Sequence, residues 1–134
     1  MSFTNPSYEK VYTSYLLVKA ALVNTDTESA QKKAVALSQA VDEVGDIQDK
    51  TKKAIKTIIT ESTIKTQRKA FEIVSKDLEL LLADNVSSGA IYKQYCPMAF
   101  NGKGAYWLSD SKEVRNPYFG DQMLKCGVVD STIE

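Results

Sequence analysis

The chain has 134 residues, 43% hydrophobic and 25% charged, which is the balance of a globular domain and not of a disordered or fibrous chain. Its 17 basic and 17 acidic residues cancel, and no block of like charge exceeds two residues, so nothing in the composition favours nucleic acid or an anionic membrane surface as a partner. Histidine is absent, which excludes histidine-assisted serine or cysteine catalysis and histidine-ligated zinc.

No run of about 18 apolar residues is present, so no transmembrane helix is expected. The opening Met1-Ser2-Phe3-Thr4-Asn5-Pro6 lacks the basic and apolar regions of a signal peptide. Two settings fit it: the cytosol, or an exported chain whose leader has been removed and to which Met1 has been added.

The spacing predicts a first helix over residues 7–24, with Tyr8, Val11, Tyr15, Val18 and Leu22 recurring at steps of three and four. Asn5-Pro6 suits its start, because proline fits the first helical turn. Thr25 and Glu28 have the spacing of a capping box, with Asp26 and Thr27 as alternative caps. A second helix follows to about Val44, with Ala30, Ala34, Leu37, Val41 and Val44 on one face. Gly45 stops it, and Asp46 is placed to cap a third helix whose apolar face holds Ile47, Thr51, Ala54, Ile55, Ile58 and Ile59. Capping residues at 60–63 mark a turn, and a fourth helix carries Ile64, Phe71, Val74, Leu78, Leu81 and Leu82 inward. Gln67 and Arg68 are placed to pin the C-terminal segment by hydrogen bonds to its carbonyls.

Beyond Asn85 the character changes. This stretch holds five of the six glycines, two of the three prolines, the tryptophan and both cysteines. Residues 91–94 suggest a short helical extension and 121–125 one helical turn, with no sustained period between them. The many aromatic residues require the segment to fold back on the helices, with Trp107 and Phe119 as anchors. The expected fold class is therefore all-α: an antiparallel four-helix bundle over about 7–84, with an irregular aromatic-rich segment over about 85–134, forming one domain over 1–134.

Two cysteines bracket the segment, each with a methionine near it: Cys96 with Met98, and Met123 with Cys126. If the ends of the segment meet, four soft sulfurs converge. Thiolates and thioethers suit Cu(I), whereas methionine is a poor zinc ligand and no oxygen cluster invites magnesium or calcium. A disulfide between Cys96 and Cys126 accounts for the same spacing, with the methionines as filler, and so do two unpaired buried thiols. The glycines at 102 and 104 lack the frame of a phosphate loop. Asp110, Glu113 and Asp121 are the carboxylates available for acid–base chemistry, but neither a catalytic constellation nor a C-x-x-C pair accompanies them, and the chain is not expected to be an enzyme.

Four C-terminal motifs carry a resemblance: Tyr92-Lys93-Gln94-Tyr95-Cys96-Pro97-Met98-Ala99, Gly104-Ala105-Tyr106-Trp107-Leu108-Ser109, Asn116-Pro117-Tyr118-Phe119-Gly120 and Met123-Leu124-Lys125-Cys126-Gly127. With Gln67, Arg68, Phe71 and Ser75 before them, they resemble an uncharacterised bacterial family of exported helical domains. Some members of that family are attached to periplasmic adaptor subunits of copper and heavy-metal efflux pumps. The resemblance spans roughly residues 7–130 in layout. It implies a periplasmic or exported setting, a metal-efflux adaptor or other periplasmic protein as partner, and a Cu(I) site at Cys96, Met98, Met123 and Cys126. It also marks Trp107, Asn116, Pro117, Tyr118 and Gly120 as scaffold.

Overall fold

The computed structural model describes residues 1–120 and 123–134. Four long helices occupy the first two-thirds: α1 (Pro6–Val23), α2 (Thr27–Val44), α3 (Asp49–Thr60) and α4 (Ile64–Ala83). Consecutive helices pack on one another in chain order, as short links require. Asn5 caps α1, its side chain accepting from the Ser7 N–H, with Pro6 in the first turn. Asp26, not Thr25, caps α2 by accepting from the Ser29 N–H. Gly45 ends α2 in the left-handed conformation. Asp46 does not cap α3, whose N-cap is Gln48 with no side-chain hydrogen bond.

The C-terminal segment overturns the all-α expectation. Strands β1 (Ser2–Phe3) and β2 (Val86–Ser88) pair antiparallel and tie the N-terminus to the end of α4. Strands β3 (Ile91–Cys96), β4 (Ala105–Ser109) and β5 (Val128–Ile133) form an antiparallel sheet in the order β4-β3-β5. The fold is mixed α and β. Between β3 and β4 lies a short turn, α5 (Ala99–Gly102), in which Phe100 and Asn101 have φ of 53° and 59°.

The strands escaped the sequence pattern for identifiable reasons. In β3 the buried positions are Ile91, Gln94 and Cys96, and a register shift against β5 falls between Lys93 and Gln94. A polar residue inside and an irregular register together erase the period-2 signal. In β4 four of five residues are buried, so no alternation survives. Strand β5 is rich in β-branched residues but mostly exposed.

One apolar cluster runs from the helices into the sheet, joining Tyr15, Phe71 and Leu82 to Ile91, Trp107 and Leu108. Four polar contacts from two side chains lock this seam. The Tyr15 hydroxyl shares a 2.7 Å hydrogen bond with Ser75 Oγ and accepts from the Leu108 N–H at 2.9 Å. Arg68 Nε donates to the Pro117 carbonyl at 2.8 Å, while its terminal nitrogen donates to the Leu22 carbonyl. Arg68 thus pins the C-terminal segment as its sequence position suggested. Gln67 does not: its amide donates to carbonyls of Thr27, Ile58 and Glu61, tying the bundle to itself.

Candidate functional site

Cys96 ends β3 and is fully buried, and Cys126 lies just before β5 and is half-buried. Their sulfurs are 3.1 Å apart, although thirty positions separate them in the chain. Strand pairing explains the proximity only in part. Cys96 faces Ala105 on β4, and the register with β5 begins one residue earlier, where Tyr95 pairs with Val128.

Asn116 completes the placement of Cys126. Its fully buried side-chain amide donates to the Cys126 carbonyl at 2.8 Å and its oxygen accepts from the Tyr118 N–H at 2.8 Å. Its backbone N–H reaches the Leu124 carbonyl at 2.7 Å. The Cys126 N–H closes a turn on the Met123 carbonyl at 3.0 Å. The first two positions of the helical turn expected over 121–125 lie outside the described residues, as does the Asp121 carboxylate.

Aromatic packing holds the rest of the scaffold. Trp107 is fully buried, and its indole N–H donates to Gln94 Oε1 at 2.8 Å. The Gln94 amide in turn donates to the Ser111 and Glu113 carbonyls, which satisfies the polar residue inside β3. The Tyr118 ring sits against Phe71, Phe100 and Trp107, and its hydroxyl donates to the Tyr106 carbonyl. Tyr118 is a deeper anchor beside Trp107 than Phe119, which is half-buried and packs against the same cluster. Gly127 has φ of 148°, and a Cβ there would lie 2.9 Å from the Tyr95 carbonyl oxygen and 3.0 Å from the Trp107 ring. Glycine therefore lets the chain leave Cys126 and enter β5 in contact with β3.

The two methionines take different positions. Met98 is 53% exposed and Met123 37% exposed. The thiols are thus brought together, while both methionines are exposed to solvent. The Cys126 thiol is held above the ordinary cysteine range, first by its hydrogen bond with Cys96 and then by burial, with a backbone hydrogen bond from Met98 working the other way. The Cys126 thiol therefore stays protonated at neutral pH, unlike a low-pKa catalytic cysteine. Among the described residues, no group of three or more His, Cys, Asp or Glu side chains is placed to hold a metal ion, so any site here depends on the two thiols and their methionine neighbours.

Lys19 lies outside every site expected from the sequence. It sits on α1 between Val18 and Leu22, is only 8% exposed, and donates to Ser109 Oγ on β4 at 3.2 Å. Burial lowers its pKa, with Asp110 opposing that shift and Arg115 adding to it. These two residues and Asn24 line a depression of about 300 Å³ beside it. A lysine inside an otherwise apolar stripe was the available signal.

No helix among the described residues is long and apolar enough to cross a membrane. A family model, described as a protein of unknown function (DUF3347), matches residues 11–89, more than half of the chain. The match runs from α1 to just beyond β2 and stops before Cys96. Comparison with curated proteins and with solved structures gives no match.

Proposed function

This chain belongs to the DUF3347 family of proteins of unknown function, and we propose that it is an exported or periplasmic module that carries Cu(I) between Cys96 and Cys126. The single observation behind this reading is the 3.1 Å approach of two free thiols from distant parts of the chain. The resemblance of the segment 92–127 to exported domains attached to metal-efflux adaptors supplies the setting, with such an adaptor or another periplasmic protein as partner.

The donor set fits a soft monovalent ion. Two sulfurs bound to one ion through bonds of roughly 2.3 Å stand about 3.8 Å apart at a tetrahedral angle and further apart as the angle opens. The thiols must therefore part from 3.1 Å by about 0.7 Å or more as the ion enters. Rotation of the Cys126 side chain provides this without breaking the Asn116 hydrogen bond to its carbonyl. Both thiols lose their protons to solvent as the two sulfur–metal bonds form, so uptake releases two protons per ion. Met98 and Met123, both exposed and close in sequence to the two thiols, serve as the soft groups that first meet the cargo and hand it inward.

Anaerobic titration of the reduced protein with Cu(I) against a competing chelator tests this. One tightly held equivalent is expected, lost in the Cys96→Ser, Cys126→Ser double variant. Uptake by the native chain no greater than by that variant would sink the reading.

The same distance favours a second reading, a structural or interaction module without metal. Oxidation of the pair by a disulfide such as oxidised glutathione would join the two sulfurs and pass their two electrons and two protons to the oxidant, which leaves as two thiols. Closing a loop of this length stabilises a fold by about 3 to 4 kcal/mol in the chain-entropy model. Intact mass after alkylation without reductant, on protein isolated from an oxidising compartment, decides between the forms. Two alkylated thiols exclude the bond.

A further inference from the structure

We propose that the face formed by α3, α4 and the α5 turn is a docking groove for an acidic amphipathic helix of a partner protein. This surface is distinct from the thiol pair and stands whether or not those thiols hold metal.

Two adjoining depressions, of about 440 and 290 Å³, share Thr66 and Lys69 in their walls and together make the proposed groove along α4. Its rim carries Lys50 and Lys53 from α3, Lys65 and Lys69 from α4, and Lys103 after α5. The floor is apolar: Ala54, Ala70 and Ile73 at one end, Phe100 and Phe119 at the other. Five of the 17 basic residues of a chain with no net charge thus gather here, while none of its acidic residues lines the groove among those described.

The segregation is invisible in the sequence because three elements contribute to it. Lys65, Lys69 and Ile73 recur every four residues, which puts them on one face of α4 over about 12 Å at ~1.5 Å per residue. Lys69 is held over the Phe100 ring, 5.2 Å from its centroid, so a cation stands directly above the apolar floor. Phe100, with φ of 53°, carries its ring to the groove from a backbone conformation that bulky residues rarely adopt.

Charge and shape select the occupant. A trough between two helices with an apolar floor suits the apolar stripe of a third helix. Lysines on both rims suit carboxylates flanking that stripe, and such complementarity steers encounter and rejects basic partners. The turn that carries Phe100 begins at Met98, so a seated partner would lie close in the chain to the sulfur-bearing segment.

The test uses the full chain, labelled with ¹⁵N, and a synthetic fluorescent helix of about twenty residues with Glu on one face and Leu on the other. Saturable binding is expected, with amide shifts confined to residues 50–57, 65–73 and 100–103. Affinity should fall about tenfold or more in the K53E, K69E variant and weaken with added salt. Both lysines are exposed, so a thermal melt serves as the folding control, and K50E, K65E is the second charge-reversed pair should the first unfold. Equal affinity of native and charge-reversed chains overturns the proposal. So does equal binding of an acidic peptide with Ser in place of Leu. Tighter binding to phosphatidylglycerol vesicles, or to a single-stranded oligonucleotide, than to the peptide also overturns it and gives the surface to lipid or nucleic acid.

Discussion

Asn116 shows how one side chain sets the geometry of a site it does not belong to. Its amide is the bridge between the Tyr118 backbone and the Cys126 carbonyl, both at 2.8 Å. Asn116→Ala leaves two backbone groups without partners in a buried place, a loss of about 2 to 4 kcal/mol. Denaturant unfolding measures this cost, and oxidation by oxidised glutathione should slow because Cys126 is no longer held beside Cys96. A variant as stable and as quickly oxidised as the native protein would remove Asn116 from this role. Its place in a turn-forming Asn-Pro motif was legible in the sequence. Its target, ten residues further on, was not.

Among elements, the seam where β4 meets α4 and α1 turns on one hydroxyl. β4 is an edge strand, and the Tyr15 hydroxyl takes the Leu108 N–H on that edge while also bonding Ser75 on α4. Three elements therefore meet on one oxygen. Tyr15→Phe keeps the ring stacked on Phe71, 4.8 Å away, and removes only the hydroxyl. The expected cost is about 1 to 3 kcal/mol, read as a lower urea midpoint, with hydrogen exchange at Leu108 faster than elsewhere in the sheet. Unchanged exchange at Leu108 would show that the edge is protected by something else. The four helices were readable from their apolar spacing and from the signals at Asn5-Pro6 and Gly45. The strands were not, because Gln94 is inward-facing and becomes acceptable inside β3 only when Trp107 and the carbonyls of Ser111 and Glu113 arrive to satisfy it.

For the whole molecule, Lys19 sets a pH dependence that no count of charges reveals. Its folded pKa lies below the unfolded 10.5, mainly through burial, so between the two values the unfolded chain binds more protons. Stability arising from Lys19 therefore rises with pH across that window and is lowest below it, where both states are charged. Lys19→Met should be more stable than the native chain near neutrality, with the gap narrowing toward pH 10; paired urea melts measure it. A gap independent of pH would mean that Asp110 and Glu113 already compensate the charge of Lys19 against burial and Arg115. Above about pH 10 the sign reverses for Tyr12 and Tyr15, which burial holds protonated in the folded state, so native stability falls there. The sequence by itself determined the four helices and the location of the sulfur pairs, because helical periodicity and residue chemistry are local properties. Only the tertiary structure decided that Cys96 and Cys126 meet while the Met98 and Met123 side chains stay toward solvent, that the last third forms a sheet, and that lysines from three elements share one groove. Each of these depends on groups far apart in the chain, and no local pattern encodes the distance between them.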